Sequence, residues 1–313
     1  MLFSRTYQKS KVVYHIFGLK FSFPKRKDRR VLMDIEEFMH RTMPPNQIPT
    51  ATGILRDIQL SALRLLLEVD YICKQNNIKY WIDFGTLLGA VRHKGFIPWD
   101  DDIDICMMRE DYEKFEKIFD ASKKDEDLFL NIHSDKNEFS RILKVHHKKV
   151  PTIFVDIFPY DYYLKKLNTE EKISLHNKIS DLKKNLFKNF YKKAPQSGEE
   201  NAQYTKELLN IRDKYIYENK KPDLSKHPAI FWGLDYNHLW PRCVFDYETM
   251  FPLSEIEFEG HKFPCPAQTD IYLTTVYRDY MSLPSALHYH FDLNKIDLDE
   301  LIALKRYAKG ENI

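Results

Sequence analysis

An acidic run enclosed by apolar residues constrains this chain of 313 residues more than any other feature. Positions 100–104 hold four aspartates, between Trp99 and Ile105. A strand through this run would place Asp102 and Asp104 on one face and bury its isoleucines on the other. Two carboxylates so close together repel each other strongly in a partly buried site, so a cation must lie beside them. A hard divalent ion with oxygen ligands suits the pair better than the alternative, a solvated acidic turn.

A second apolar strand carries a single carboxylate. In the segment 152–158, Asp156 is the only charged residue, and an ionised group in apolar surroundings is costly unless it is paired. The side chain either caps a nearby backbone amide or acts as a third ligand of the same metal site. We favour the third ligand, because Mg²⁺ binds carboxylate oxygens together with substrate phosphates.

A glycine-containing turn lies upstream of the acidic run. Gly85 and Thr86 join a predicted strand to a predicted helix, and such a turn presents backbone amides and a helix N-terminus to a phosphate. Arg92, His93 and Lys94 follow at the far end of that helix and add positive charge. A glycine before a helix and cations on a surface are each common on their own. Together with the carboxylates they indicate a site for metal–nucleotide chemistry.

Hydrophobic periodicity predicts alternating helices and strands over most of the chain. We expect strands at 78–84, 102–107, 128–132, 142–146, 152–158, 255–259 and 261–264. We expect helices at 54–74, 86–93, 111–119, 168–191, 202–217 and 267–281, with a loop at 195–200. Asn168 and Glu171 fit a capping box at the start of the fourth helix, and Gly260 fits the turn between the last two strands.

Charge divides the chain into a basic arm and a mildly acidic body. The formal net charge of +2 excludes a globally basic nucleic-acid binder, so we expect no nucleic-acid partner. Residues 1–30 nevertheless carry nine Lys/Arg and one Asp. The segment 9–30 interleaves cations with apolar residues, which suits either peripheral contact with an anionic membrane or a small docked hairpin. Both interpretations stay open, because Gly18 and Pro24 interrupt a long amphipathic helix.

Cysteine usage and the start of the chain bear on the compartment. Four scattered cysteines without a CxxC pair are too few for a disulfide framework. The N-terminus has no apolar stretch before a small-residue cleavage site, and no run approaches the roughly 18 apolar residues of a membrane span. We therefore expect a cytoplasmic protein that contacts the inner face of the cytoplasmic membrane peripherally, if at all.

Two further groupings of chemistry-bearing residues lie in the last third of the chain. No structural zinc pattern matches the spacing of the possible ligands His238, Cys243, His261, Cys265, His288 and His290. An aromatic cluster could box a quaternary ammonium group, but aromatic residues so spaced more often pack a core or an acceptor groove. Its members are Phe231, Trp232, Tyr236 and Trp240.

The 21 consecutive residues from Gly85 to Ile105 resemble the signature of the LicD family. This family belongs to the nucleotidyltransferase-fold superfamily and includes the fukutin-type enzymes. The resemblance continues at 155–159, 258–260 and 277–284. Arg278 stands where the family pattern has glycine, which leaves details of the acceptor side open.

The resemblance implies an α/β fold, in which a nucleotidyltransferase-like core with a mixed α+β sheet and flanking helices is joined by a helical middle segment. It covers roughly residues 50–290. The expected division is a basic aromatic arm over 1–30, a catalytic core over 31–165 and a helical segment over 166–225. The remaining residues, 226–313, would form the acceptor side of the same domain.

The resemblance also implies a metal-dependent phosphotransferase. Asp102, Asp104 and Asp156 would bind two divalent ions, Mg²⁺ or Mn²⁺. A substituted phosphate of the phosphocholine, glycerol phosphate or ribitol phosphate type would pass from a CDP-linked donor to a sugar hydroxyl. The acceptor would be a glycan such as lipopolysaccharide, capsule or teichoic acid, lipid-linked forms included. The reaction is an in-line displacement that releases CMP, and a pair of metal ions suits it. Asp156 is the candidate to bind the second ion or to take the hydroxyl proton.

Supporting roles fall on neighbouring residues. The candidates for binding the donor are Gly85, Thr86, Gly89, Arg92 and Lys94. Asp100 and Asp101 are expected to support the metal ligands through hydrogen bonds. Asp83 either does the same or ends its strand.

Two other functions remain open at this point. The same fold could transfer the nucleotidyl group itself, which would release pyrophosphate instead of CMP. The non-enzymatic alternative is a glycan-binding protein with a relic site, although three retained acids without a metal would destabilise the fold. The released product and a metal-dependent thermal shift would distinguish these functions.

Overall fold

Helices and strands alternate along the chain, as the periodicity predicts. The computed structural model describes residues 3–7, 11–16, 19–24, 45–135, 140–189, 198–235, 243–282 and 296–313. In chain order, its strands and helices are β1 (Phe3–Tyr7), β2 (Lys11–Ile16), β3 (Leu19–Pro24), α1 (Ile54–Gln75), β4 (Trp81–Ile82), α2 (Phe84–His93), β5 (Ile103–Met108), α3 (Arg109–Ser122), β6 (Leu128–Asp135), β7 (Ser140–His147), β8 (Phe154–Tyr162), α4 (Thr169–Asn189), α5 (Gly198–Ile211), β9 (Ile230–Trp232), β10 (Val244–Phe245), α6 (Tyr247–Met250), β11 (Ser254–Phe258), β12 (His261–Cys265), α7 (Thr269–Tyr277) and α8 (Leu298–Ala308).

A mixed seven-stranded sheet forms the centre of the described structure. Its main path runs β10-β9-β8-β5-β4, while β7 also pairs with β8 and β6 pairs with β7. The central strands β5 and β8 are parallel, and the other pairs of this sheet are antiparallel. The α/β class and its mixed sheet are therefore confirmed.

Helices α1 and α3 cover the sheet on its apolar side. Helix α1 contacts β5, β7 and β8, and α3 contacts β5, β6 and β8. The alternate residues Ile103, Ile105, Val155 and Ile157 of the two central strands are fully buried. Burial of such side chains contributes roughly 25 cal/mol per Å² of apolar area. This packing fixes the two parallel strands whose opposite face carries the carboxylates.

Several predicted boundaries differ from the structure for local reasons. The strand expected at 78–84 is reduced to β4, because Asp83 already caps α2. The helix expected to end at residue 281 stops at Tyr277, since Arg278 has a φ of 62°. The loop expected at 195–200 is wrong for residues 198–200, which begin α5. Helix α8, which packs on α1, was not predicted.

The capping box at the start of α4 is confirmed. The Asn168 side chain accepts a hydrogen bond from the amide of Glu171, and the Glu171 carboxylate accepts one from the amide of Asn168, both at 2.9 Å. Because two backbone donors are satisfied reciprocally, the sequence signal determines where this helix begins.

The described residues of the basic arm form strands. β1, β2 and β3 make an antiparallel three-stranded sheet, so an amphipathic helix is excluded where these strands run. Contact of the arm with a membrane stays a proposal, as does the division of the chain into segments. Among the helices that the structure describes, none is both long and apolar enough to span a bilayer.

A buried ion network lies at the edge of the sheet where β5 and β8 end, which we call the far edge. The guanidinium of Arg109 lies 2.9 Å from a carboxylate oxygen of Asp161 and 2.5 Å from one of Asp235. Arg212 adds a contact of 2.7 Å to Asp161. Both carboxylates are almost completely buried. A Cβ at Gly233 would come within 2.8 Å of the Arg109 guanidinium, so a glycine is required for this close approach.

We expect Arg109→Met to lower the free energy of unfolding by about 3–5 kcal/mol, because it leaves two buried carboxylates without their shared cation. Urea denaturation measures the change. Lys166→Met is the matched control, since Lys166 forms an exposed pair with Glu248 and such pairs contribute about 1 kcal/mol at most. Equal stability of the two variants would contradict a stabilising role for the network.

Candidate active site

Three carboxylates meet at the opposite edge of the sheet, the near edge, where β5 and β8 begin. Asp104 lies directly opposite Asp156 in the parallel pairing, and Asp102 immediately precedes β5. One oxygen of each group lies within 4.8 Å of those of the others. Asp102 and Asp156 are buried and Asp104 is half-buried. The structure thus brings together the three residues that the sequence selects as ligands.

Their electrostatics require a cation. Burial, together with the charges of Asp102 and Asp156, raises the pKa of Asp104 well above its usual range. The three side chains offer only oxygen atoms, which is the ligand set that hard divalent ions bind. Both the geometry and the chemistry therefore fit Mg²⁺ or Mn²⁺, and an ion would relieve the repulsion that burial intensifies.

Lys144 supplies a positive charge that the sequence analysis missed. It lies opposite Asp156 on the antiparallel strand β7, and its ammonium nitrogen is 2.9 Å from the Asp156 carboxylate. The alternation of Lys144 with buried Leu143 and Val145 placed it on a polar face. No local pattern predicts the strand register that places Lys144 opposite Asp156.

Asp83 anchors the turn that leads into α2. Its carboxylate accepts hydrogen bonds from the Phe84 amide at 2.7 Å, the Trp81 indole at 3.0 Å and the Tyr160 hydroxyl at 2.7 Å. Burial raises the pKa of Asp83 despite these bonds. Phe84 has a φ of 43°, an unusual value for a bulky residue. Asp83 therefore ends the strand and caps the helix.

Thr86 connects α2 to the acidic strand. Its hydroxyl accepts a hydrogen bond of 2.8 Å from the backbone amide of Asp104, and the side chain is 2% exposed. A Cβ at Gly85 would lie 2.8 Å from an Asp100 carboxylate oxygen. The glycine thus lets this carboxylate approach the start of the helix. Asp100, Asp101 and Asp102 also lie within ligand distance of one another.

The other predicted donor-binding residues have structural contacts. A Cβ at Gly89 would lie 2.5 Å from the carbonyl oxygen of Gly95, so Gly89 allows close packing of the following loop. The buried guanidinium of Arg92 donates to the carbonyls of Tyr280 and Ser282. Lys94 is exposed and ends α2 in the left-handed conformation, with a φ of 55°.

The loop between α2 and β5 is held by residues that the sequence analysis did not assign. Glu259 forms a bidentate pair with Arg56 at 2.9 and 2.6 Å and accepts a bond from the Phe96 amide. Although burial opposes the shift, these partners lower the pKa of Glu259. The Gln59 amide donates to the Asp100 carbonyl at 2.8 Å. Only the short segment around Glu259 gave a signal, as part of the family resemblance.

The two weaker groupings from the last third do not form sites where they are described. Phe231 and Trp232 are completely buried, which agrees with core packing and not with an ammonium box. In the described ranges, neither Cys243 nor Cys265 belongs to a group close enough to hold a metal ion. The other members Tyr236, His238, Trp240, His288 and His290 lie outside the described residues.

Comparison with known proteins gives the site a family context. Residues 77–197 match the family described as LicD/FKTN/FKRP, nucleotidyltransferase domain. The chain is 30% identical over 256 residues to the lipopolysaccharide cholinephosphotransferase LicD of Haemophilus influenzae, which covers 74% of this chain and 92% of that protein.

Two further relatives match shorter parts of the chain. An uncharacterized protein of Rickettsia prowazekii is 38% identical over 124 residues, which covers 33% of this chain and 46% of that protein. The ribitol 5-phosphate transferase FKRP of Homo sapiens is 34% identical over 86 residues, which covers 26% of this chain and 17% of that protein. This chain therefore spans less than half of either of these two relatives.

We expect Thr86→Val to lower the free energy of unfolding by about 1–3 kcal/mol, because the buried amide of Asp104 loses its acceptor while the side-chain shape is kept. Thr274→Val, at an exposed position of α7, is the matched control and should change stability by no more than about 0.5 kcal/mol. Chemical denaturation of both variants tests the bond, and a Thr86→Val protein as stable as the control would argue against it.

His93 makes stability depend on pH. Burial and the neighbouring Arg92 lower the pKa of His93 to about 4, so the folded protein excludes a proton that the unfolded chain binds. Its stability contribution is therefore complete above about pH 6.5 and is lost as the pH falls toward 4. His93→Gln should reduce the slope of unfolding free energy against pH in this window. An unchanged slope would show that the ring stays accessible to protons.

Proposed function

The chain belongs to the LicD family and is a transferase, and from this premise we propose that it moves a substituted phosphate from a CDP-linked donor to a sugar hydroxyl of a cell-surface glycan. The observation that carries the proposal is the meeting of Asp102, Asp104 and Asp156 on two parallel strands. The family match over residues 77–197 contains these three residues, and the match to a protein named as a cholinephosphotransferase covers 74% of this chain.

Phosphocholine is the substituent that we propose first. The match to the protein named as a cholinephosphotransferase extends over 74% of this chain, whereas the match to the ribitol 5-phosphate transferase covers 26%. Lipopolysaccharide is the corresponding acceptor, with capsule and teichoic acid as other members of the class. We further propose that the reaction takes place at the cytoplasmic face of the membrane, with the basic arm as a peripheral contact to anionic lipid.

Asp102, Asp104 and Asp156 would hold one or two Mg²⁺ or Mn²⁺ ions. When bound, such ions neutralise the phosphates of the donor and lower the barrier to release of CMP. The task of the chain is to hold the three carboxylates in place against their repulsion. Thr86 does so through the amide of Asp104, and the pairing of β5 with β8 does so for Asp156.

Asp156 is proposed either to bind the second ion or to accept the proton of the attacking hydroxyl. Its carboxylate lies opposite Asp104 in the pairing of β5 with β8, and the Lys144 ammonium lies 2.9 Å from it. Proton transfer to a positioned carboxylate typically contributes 10²–10⁴-fold to a rate. The sugar oxygen then attacks phosphorus as the bond to the CMP oxygen breaks.

Donor binding falls on the start of α2 and on the neighbouring cations. The first turn of α2 contains Gly85 and Thr86, and the backbone amides of a helix N-terminus favour a phosphate. Gly89, Arg92 and Lys94 stay candidates for binding the donor, and of these Lys94 is exposed.

The released product tests the reaction. The purified protein is incubated with Mg²⁺ or Mn²⁺ and CDP-choline, CDP-ethanolamine, CDP-glycerol or CDP-ribitol, with a glycan acceptor, and CMP is measured by mass spectrometry. We expect metal-dependent CMP from one donor and a loss of about a thousandfold or more in Asp104→Ala, because bound metal supplies several kcal/mol of charge stabilisation. Asp120→Ala, whose side chain is 86% exposed, is the matched control.

A second measurement separates folding from activity. Removing the Asp104 charge relieves repulsion, so Asp104→Ala should melt no lower than the wild-type protein in metal-free buffer and should show a smaller stabilisation by Mn²⁺. Full CMP release by this variant would refute the metal assignment. Pyrophosphate as the product would instead support transfer of the nucleotidyl group.

A further inference from the structure

A row of three neighbouring rings extends from the carboxylates across the sheet, with Phe129 and His146 stacked at 14° and His146 and Phe154 tilted at 54°. Phe154 lies two residues before Asp156 on β8, His146 lies opposite Phe154 on β7, and Phe129 lies opposite His146 on β6. The ring centroids are 5.8 Å apart for Phe154 and His146, and 5.2 Å apart for His146 and Phe129. Because side chains alternate along a strand, the row shares the face of Asp156.

Lys144 joins the ring row to the carboxylates. Its ammonium nitrogen lies 2.9 Å from the Asp156 carboxylate and 3.7 Å from the centre of the Phe154 ring. A cation thus stands at the inner end of an aromatic surface, beside the reacting centre. Lys144 is 12% exposed in its side chain, so its charge is only partly screened by water.

Burial differs sharply between the two faces of these strands. The neighbours that point to the opposite face, Leu128, Leu143, Val145 and Val155, are at most 1% exposed. The three rings of the row and Lys144 are all half-buried. Core rings such as Phe115 reach full burial in this protein, so the described residues leave the ring row partly uncovered beside the site.

The chemistry of the row selects its ligand. Burial and the charge of Lys144 lower the pKa of His146 to about 4, so the ring is neutral near pH 7 and the row is uncharged apart from Lys144. A quaternary ammonium group would be repelled by Lys144, and a neutral sugar would make no use of it. A nucleotide suits both the uncharged rings and the cationic Lys144, because it joins a planar base to an anionic phosphate.

We propose that Phe129, His146 and Phe154 form the surface on which the pyrimidine base of the donor stacks, with Lys144 on its phosphates. This inference rests on the proposed function. Asp156 and Phe154 are separated by about 7 Å along their strand, which leaves room for the ribose between the phosphate and the base. When a cation occupies Asp156, the flexible stem of Lys144 can present its ammonium to a phosphate oxygen.

Binding of CMP and of pyrophosphate, each with Mg²⁺, separates the two parts of the surface. Calorimetry should show that His146→Ala and Phe129→Ala weaken CMP about tenfold or more, since stacking on an aromatic side chain contributes strongly to base binding. Pyrophosphate has no base, so its binding should be unchanged in these variants. Lys144→Met should weaken both ligands.

A rescue variant distinguishes stacking from a structural role. His146→Phe keeps a ring in the row and should bind CMP within about threefold of the wild-type protein, whereas a merely structural histidine would not be replaced so well. Thermal melting of each variant checks that it is folded. If one of the two alanine variants is unfolded, the binding comparison uses the other one.

The outcomes separate this inference from the proposed function. A wild-type protein that binds neither CMP nor CDP-choline would overturn both. A wild-type protein that binds CMP as tightly as His146→Ala and Phe129→Ala do would overturn the ring-row inference alone. The same holds if these variants raise only the KM for the glycan acceptor, which would assign the rings to the other substrate.

Discussion

The pairing of Asp104 with Asp156 across two parallel strands is the constraint on which the site depends. Parallel strands place these carboxylates at one level, and burial makes their mutual repulsion expensive. Two groups hold the pair in place. The Thr86 hydroxyl accepts a hydrogen bond from the Asp104 amide, and the Lys144 ammonium pairs with the Asp156 carboxylate. The site is therefore held together by groups on three different strands and one helix, and none of them could hold it alone.

Distant parts of the chain converge on the loop that precedes the acidic strand. Glu259, in the hairpin of β11 and β12, accepts a hydrogen bond from the Phe96 amide in the loop after α2, and Arg56 of α1 pairs with Glu259. Arg92 reaches backbone carbonyls near residue 280. The segments 258–260 and 277–284 both resemble the LicD family, and described residues of each contact α2 or the loop that follows it.

Much of the framework was predictable, while the contacts that complete the site were not. Periodicity located α1 and the central strands, and the carboxylate pattern selected Asp102, Asp104 and Asp156. Lys144 was missed, because strand register depends on tertiary pairing that no local pattern encodes. The strand expected at 78–84 was predicted too long, because the sequence does not distinguish an aspartate that ends a strand from one that caps the next helix. Arg92 was expected to bind the donor, and its contacts with the carbonyls of Tyr280 and Ser282 could not be predicted from the sequence.

The ion network around Arg109 makes the two edges of the sheet differ in how their charges are balanced. At that far edge, opposite charges are matched within the protein itself. At the near edge, Asp102, Asp104 and Asp156 lie together, and Lys144 pairs with Asp156. The oxygen atoms of these three acids are the ligand type that a divalent cation binds. A divalent cation that binds there meets carboxylates whose positions the pairing of β5 with β8 already sets.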